Sequence, residues 1–173
     1  MKNQISIVKG NLFDHIEKNL YAENNGNSII VPHVCNNSNA FGAGFAAAIT
    51  RYYPIVKQNY HLLGASFLKN NLGYTQFVDV IHEKRYNHKL VFANMICQNG
   101  LYSSKNTRPL NYYALTKCMV SVVRYILTNF DRDQRVQIHC PKFGCGLAGG
   151  NWNFIHNLIE DIWSKTDTFV YQL

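Results

Sequence analysis

The spacing of apolar and polar positions along the chain predicts an alternating series of strands and helices. Short apolar runs bounded by polar residues indicate strands, whereas apolar residues repeated every three or four positions indicate helices. The predicted strands are 5–9, 28–34, 76–81, 88–97, 135–140 and 168–173. The predicted helices are 13–20, 45–51, 56–67, 111–130 and 152–163.

The order of these elements indicates the fold class. The pattern is clearest in helix 111–130, where an apolar stripe includes Leu115, Met119 and Val122. Strands that alternate with helices predict an α/β fold, here a three-layer α/β/α sandwich with a mixed, mostly parallel central sheet. The 173 residues fit one domain, so we expect a single domain over 1–173.

A glycine-rich segment, residues 141–150, joins strand 135–140 to helix 152–163. Four of the seven residues from 144 to 150 are glycines. Glycines allow backbone N–H groups to approach an anion closely, and the N-terminus of the following helix adds a partial positive charge. Such a turn can also be a simple connection between two elements.

A second segment of the same kind follows strand 28–34. Its polar residues lead to Gly42-Ala43-Gly44 at the start of helix 45–51. It lacks the Lys-Ser/Thr ending of a nucleoside-triphosphate loop and the glycine spacing of the dinucleotide fingerprint. In parallel sheets ligands bind at the carboxyl ends of the strands, where both segments lie. The two segments together predict a ligand with two adjacent anionic groups, such as a diphosphate.

The composition is that of a globular protein, with 47% hydrophobic and 16% charged residues. No run approaches the roughly 18 apolar residues of a membrane span, so we expect no membrane partner. The chain enters its first predicted strand directly, so we expect no secretory leader, and its five cysteines show no C-x-x-C pair. We therefore expect a cytoplasmic location, no metal site and no cofactor.

The net charge of +7 is unevenly distributed. Residues 84–130 contain seven Lys or Arg residues and no acid. A surface of this kind favours anionic ligands, from nucleotides to RNA, although it can also be a solvated basic face. Because no sequence motif of a known nucleic-acid module accompanies it, a nucleic-acid partner is the less favoured expectation.

Taken together, the motifs resemble those of the macro domain family. The resemblance rests on residues 8–12 (Val-Lys-Gly-Asn-Leu), on His33-Val34-Cys35-Asn36 with residues 42–44, and on residues 141–147 (Pro-Lys-Phe-Gly-Cys-Gly-Leu). It runs over nearly the whole chain. The ending 169–173 is similar to the subgroup of ADP-ribose-1''-phosphate phosphatases and terminal ADP-ribose glycohydrolases.

The resemblance implies an ADP-ribose site in which Asn36 holds the distal ribose and His33 lies beside it, both with catalytic roles. Asn11 stands where the family has an acid that contacts adenine, and Tyr171 would also lie near adenine. The implied ligand-binding residues are Asn11, Leu12, Gly42, Ala43, Gly44, Phe45, Gly144, Cys145, Gly146, Leu147 and Tyr171. By its position alone, His33 could be a general acid or base, or a strand-end histidine satisfied by the backbone.

The chain departs from the glycohydrolase pattern at two positions. Ala148 stands where that subgroup has an aspartate, and Cys97-Gln98-Asn99 stands in the region of its lysine. Gln98 and Asn99 could instead orient an attacking water, or form an ordinary polar turn, and Lys142 could contact phosphate.

The resemblance implies a metal-independent hydrolase that removes the phosphate of ADP-ribose 1''-phosphate, or removes ADP-ribose from a modified macromolecule. The alternative is a non-catalytic reader of ADP-ribose or of a related NAD-derived nucleotide.

Overall fold

The computed structural model describes residues 5–20, 27–80 and 88–172. The strands are β1 (Ile5–Lys9), β2 (Ser28–Asn36), β3 (Thr75–Asp79), β4 (Leu90–Gln98), β5 (Val136–Pro141) and β6 (Asp167–Gln172). The helices are α1 (Leu12–Leu20), α2 (Gly44–Tyr52), α3 (Pro54–Leu62), α4 (Ala65–Asn70), α5 (Tyr112–Asn129) and α6 (Trp152–Ile162). The observed bounds differ from the predicted ones by one or two residues for most elements.

The strands form a mixed sheet in the order β1-β6-β5-β2-β4-β3. Only the β3–β4 pair is antiparallel within this sheet, which confirms the predicted mixed, mostly parallel arrangement. The central strands β2 and β5 are direct neighbours, with Ser28 opposite Val136 and Ile30 opposite Ile138. The segments that follow β2 and β5 therefore leave the same edge of the sheet side by side.

Helices cover both faces of the sheet, which confirms the three-layer sandwich. Ile29 and Val31 of β2 face a core formed with α1–α4, whereas Ile30 faces a core formed with α5 and α6. Successive side chains of a strand point to opposite faces, so a strand buried on both faces is apolar throughout. This explains why residues 28–34 form an almost continuous apolar run.

The predicted single helix 56–67 is two helices in the structure. Pro54 is the first residue of α3, and Gly64 separates α3 from α4 with a φ of +79°. This left-handed backbone suits glycine and ends the helix. The break moves the apolar stripe by one residue, so that Leu68 is buried while Phe67 is 36% exposed.

Two predicted strand ends, residues 81 and 173, lie outside the described residues. The described part of the chain contains no helix that is long and apolar enough to cross a membrane.

Candidate functional site

A cleft of about 420 Å3 opens at the carboxyl edge of the sheet. We call residues 36–44 the first loop and residues 141–150 the second loop. Both loops line the cleft, together with Gln98 at the end of β4 and Leu101 and Tyr102 in the segment that follows it. The predicted site residues that line it are His33, Asn36, Gly42, Ala43, Gly44, Phe45, Gly144, Gly146 and Leu147.

Two other predicted site residues belong to the start of α1. The Asn11 side chain accepts a hydrogen bond from the Phe13 backbone N–H at 3.0 Å and donates to Asp14 at 3.2 Å. Leu12 is 3% exposed and packs in the core beneath α1. Neither residue lines the cleft, and their contact with adenine stays a prediction.

Cys145 and Tyr171 also lie outside the cleft lining. The Cys145 thiol donates to the Lys142 carbonyl at 3.6 Å. The Tyr171 hydroxyl lies 2.9 Å from His139 Nδ1, and the residue is 6% exposed. Their ligand contacts likewise stay predictions.

Sequence reasoning missed Leu101 and Tyr102. They follow Gln98 in a polar connection and are 49% and 54% exposed. The available signal was two adjacent large apolar side chains in a segment that otherwise reads as surface loop.

The N-terminus of α2 lies at the cleft without a side-chain cap. Ala43 has the extended N-cap conformation (φ −121°, ψ 157°) but no side-chain acceptor for the first N–H groups. Gly44, Phe45 and Ala46 of this first turn all line the cleft. Since uncapped N–H groups and the helix dipole favour negative charge, this helix start is suited to an anion.

The charged side chain of the cleft is also positive, like the N-terminus of α2. The described lining residues include no Asp or Glu, and Lys142 is the charged side chain among them. Its Nζ lies 5.3 Å from the centroid of the Trp152 ring. An anionic ligand would therefore meet backbone amides and a cation.

Three glycines leave space in the cleft. A Cβ at Gly42, Gly44 or Gly146 would meet no atom within 4 Å. Packing within the protein therefore does not require glycine at these positions, although Gly44 also has a φ of +55°. The open space beside the backbone is what close approach by a ligand needs.

The Asn36 side chain shapes the first loop. Its Oδ1 accepts from the backbone N–H groups of Ser38 at 2.9 Å and Ala40 at 3.2 Å, and from the Tyr60 hydroxyl at 3.1 Å. Its Nδ2 donates to the Ala40 carbonyl at 2.7 Å. One Nδ2 hydrogen is left for a ligand, because an amide nitrogen carries two.

His33 begins a buried chain of hydrogen bonds across the sheet. Its Nε2 lies 2.6 Å from Asn94 Oδ1, and Asn94 Nδ2 donates to Gln76 Oε1 at 2.9 Å. Gln76 Nε2 in turn donates to the Asn59 carbonyl at 2.8 Å. Because a carbonyl only accepts, the orientation of both amides follows, and His33 Nε2 must carry the hydrogen.

This geometry fixes the state of His33. The residue is 1% exposed, and burial lowers the pKa of its imidazole to about 4. Its ring meets the edges of Phe41 and Phe45, which both line the cleft. His33 is thus a neutral imidazole at neutral pH, with its hydrogen committed to Asn94 and its acceptor Nδ1 at 3.7 Å from the Cys35 thiol.

The two polar residues at the end of β4, Gln98 and Asn99, are placed differently. Gln98 lines the cleft, and its side chain has no hydrogen-bond partner within the described residues. Asn99 instead accepts from Asn37 Nδ2 at 3.0 Å and does not line the cleft. Of the two candidates, only Gln98 lines the cleft. Within the described ranges, no three His, Cys, Asp or Glu side chains are grouped as a metal would require.

No family model matches the chain, but its structure is similar to several solved structures. The structure is similar to that of a protein of unknown function from Bacteroides thetaiotaomicron, with a TM-score of 0.77 and 28% identity over 99% of both chains. It is also similar to a macrodomain protein from Streptomyces coelicolor, with a TM-score of 0.68 and 26% identity over 98% of this chain and 99% of that one. The structure has the macrodomain fold.

A curated relative of this macrodomain is an ADP-ribose 1''-phosphate phosphatase from Candida albicans. The two are 23% identical over 161 residues, which are 91% of this chain and 92% of the yeast protein. The macrodomain also shares its fold with Thermosipho africanus DarTG, solved in complex with ADP-ribose, at a TM-score of 0.66 and 14% identity. The match covers 99% of this chain and 43% of that one.

Proposed function

We propose that this macrodomain binds ADP-ribose in the cleft, with the diphosphate between the first and second loops. The observation that carries the proposal is the pairing of the uncapped α2 N-terminus with the open backbone at Gly42 and Gly146. An ADP-ribose complex of a protein with the same fold supports it.

We further propose that the bound compound is hydrolysed without a metal. The substrate is ADP-ribose 1''-phosphate or a macromolecule that carries ADP-ribose, and the names of two yeast relatives support the phosphatase form. In the phosphatase reaction the oxygen of water bonds to phosphorus, the bond from phosphorus to the ribose oxygen breaks, and that oxygen receives a proton.

His33, Asn36 and Gln98 are the residues proposed to assist this step. The free Nδ2 hydrogen of Asn36 would contact a hydroxyl of the distal ribose, and Gln98 would orient the water. His33 would act through Nδ1 as an acceptor, since its Nε2 hydrogen is held by Asn94. A positioned acid or base of this kind contributes about 10²–10⁴-fold to the rate.

The second candidate is a reader that binds ADP-ribose, or a related NAD-derived nucleotide, and does no chemistry. Two observations favour it: the described cleft lining has no carboxylate, and His33 is almost entirely buried. Both candidates predict the same ligand and differ in turnover.

One experiment separates them. The purified protein is incubated with ADP-ribose 1''-phosphate and with mono-ADP-ribosylated protein, in the presence of a chelator, and phosphate and ADP-ribose are measured. Calorimetry with ADP-ribose, ADP and AMP runs in parallel. Turnover that falls in Gln98→Ala or His33→Ala while ADP-ribose still binds supports the hydrolase. Tight binding without turnover establishes the reader, and equal affinity for AMP and ADP-ribose contradicts the two-loop site.

We also propose that the protein acts in the cytoplasm as a single domain over 1–173, with no cofactor. The single sheet that all described strands share supports the single domain.

A further inference from the structure

Within the described residues, several basic side chains lie over aromatic rings and none forms an ion pair with an acid. Across the described ranges no Lys or Arg lies within 4.0 Å of a carboxylate, and the recorded ion pair joins His156 to Glu160. Instead, four cations lie over rings at 4.8–5.7 Å: Lys89 over Phe130, Arg108 over Tyr112, Lys117 over Tyr113, and Lys142 over Trp152.

Three of the four pairs lie at or near the starts of α5 and α6. The Tyr112 hydroxyl accepts from the Asn151 N–H at 2.8 Å, and the Tyr112 ring meets the Phe154 ring at 4.6 Å. These contacts join the start of α5 to the start of α6 behind the second loop. We call this surface, formed by Arg108, Tyr112, Tyr113, Lys117, Lys142, Trp152 and Phe154, the aromatic flank.

The aromatic flank is open to solvent. Tyr113 is 76% and Phe154 45% exposed, and Arg108, Lys117 and Lys142 are all exposed. A tyrosine that is three-quarters exposed leaves most of its ring surface to solvent. Tyr102, which lines the cleft, is 54% exposed.

No carboxylate from the same elements balances these cations. The chain has no Asp or Glu between residues 84 and 130, which includes all of α5. In α6 the first acid is Glu160, about two turns from the start of the helix. The flank therefore carries a local positive field.

We propose that the aromatic flank binds single-stranded nucleic acid. Exposed rings stack on unpaired bases, while neighbouring cations contact the phosphates, and this combination is the usual way of binding single strands without sequence preference. An acidic peptide would satisfy the cations but would offer no planar groups to the rings. A duplex would keep its bases stacked on each other and out of reach of Tyr113.

The inference is independent of the proposed hydrolase or reader activity. Arg108, Tyr113 and Lys117 do not line the cleft, so they can be changed without removing any residue of the ADP-ribose site. The flank adjoins the second loop, because the Leu110 N–H donates to the Ala148 carbonyl at 3.0 Å.

The test is fluorescence anisotropy with labelled oligothymidylate and oligouridylate of about 20 nucleotides, longer than the 4–16 that one module covers. We expect binding that weakens as salt rises. Tyr113→Ala should weaken it by about 5- to 150-fold, the effect of losing one stacked base. Lys117→Ala should weaken it and reduce the slope of log affinity against log salt by about 0.7, the effect of losing one phosphate contact.

Lys165→Ala is the matched control. It removes the same charge from an exposed position just before β6, and this position lies at the amino edge of the sheet, opposite the cleft. Unchanged oligonucleotide binding in Lys165→Ala supports the flank. Equal losses in Lys165→Ala and Lys117→Ala, or tighter binding of polyglutamate or of duplex DNA than of the single strands, overturn it.

Calorimetry with ADP-ribose on each variant shows whether the cleft remains intact. Retained ADP-ribose binding in Tyr113→Ala assigns any loss of oligonucleotide binding to the flank. Single-strand binding in a protein that does not bind ADP-ribose would remove the proposed function and leave this inference standing. If the protein binds ADP-ribose but no oligonucleotide at low salt, this inference is overturned and the proposed function stands.

Discussion

The first loop enters α2 through Gly42 and Gly44, and the second enters α6 through Gly149 and Gly150. A Cβ at Gly42 or Gly44 would meet nothing, whereas one at Gly149 would overlap the Thr107 carbonyl and one at Gly150 the Gly144 carbonyl. The helix starts differ in the same way. The N-terminus of α2 has no side-chain cap, while Asn151 caps α6 by accepting from the Phe154 N–H at 3.2 Å. Glycines that look alike in sequence therefore have different roles. Gly42 and Gly44 leave open space in the cleft, whereas Gly149 and Gly150 allow close packing of the backbone.

Within the second loop, Gly146 resembles the glycines of the first loop. It lines the cleft, a Cβ there would meet nothing, and its φ is not left-handed. We expect Gly42→Glu and Gly146→Glu each to reduce ADP-ribose affinity by more than about 100-fold, because the side chain fills the diphosphate space and repels it. Calorimetry and circular dichroism measure affinity and folding.

Gly146→Gln has nearly the same size without the charge, so it separates occlusion from repulsion. Full affinity in a folded Gly42→Glu variant would show that the ligand does not lie between the two loops.

Gly149→Ala should instead act on stability. Its φ of +70° and the overlap with Thr107 add backbone strain to overpacking, which together cost about 2–5 kcal/mol of unfolding free energy. Urea denaturation measures the loss. A Gly149→Ala protein as stable as wild type would contradict the assignment of this glycine to packing.

Each loop follows a strand with a buried histidine, His33 in β2 and His139 in β5. Burial lowers the pKa of His33 to about 4, and burial together with His15 lowers that of His139 to about 3. The unfolded chain, with a histidine pKa near 6.5, binds more protons than the folded one below that pH. These two histidines therefore do not lower the free energy of unfolding above pH 6.5. As the pH drops from 6.5 toward 4, each of them lowers it by about 1.4 kcal/mol per pH unit.

Urea denaturation between pH 7.5 and 4.5 tests this. His139→Phe keeps a ring between His15 and Phe169 and should remove about half of the slope. An unchanged slope would assign the acid sensitivity to other groups. His156→Asn, on the partly exposed side of α6, is the control.

The difference in capping gives the smallest predicted effects. Ala43→Asp supplies the missing acceptor at the N-cap of α2, so it should raise the unfolding free energy by about 0.5–2 kcal/mol while lowering ADP-ribose affinity. Asn151→Ala removes the cap of α6 and should cost about 1 kcal/mol with little change in affinity. If Ala43→Asp binds ADP-ribose as well as wild type, the N-terminus of α2 is not the anion site.

Much of the fold could be predicted because the buried residues of its strands and helices form regular apolar patterns in the sequence. The continuous apolar run of β2 and the stripe of α5 each follow from burial of whole faces. The division of 56–67 into two helices was missed, since the left-handed φ of Gly64 depends on how the chain must turn to cover the sheet. A lone glycine in a helical pattern does not reveal its own φ.

The candidate site was predictable where local sequence and topology agree. The glycine segments and the strands before them place Gly42, Gly44, Gly144 and Gly146 at one cleft. Leu101 and Tyr102 were missed because their segment has no periodicity, and only the packing of that segment brings it to the cleft.

The sequence by itself determined the alternation of strands and helices, the position of both loops after central strands, and the excess of positive charge. Those properties depend on neighbours along the chain. Tertiary structure decided which glycines face open space, which hydrogen His33 carries, and that Lys142 of the second loop lies over Trp152 of α6. These depend on atoms far apart in sequence, such as Thr107 against Gly149 or Asn59 at the end of the His33 chain. Local patterns carry no information about such contacts.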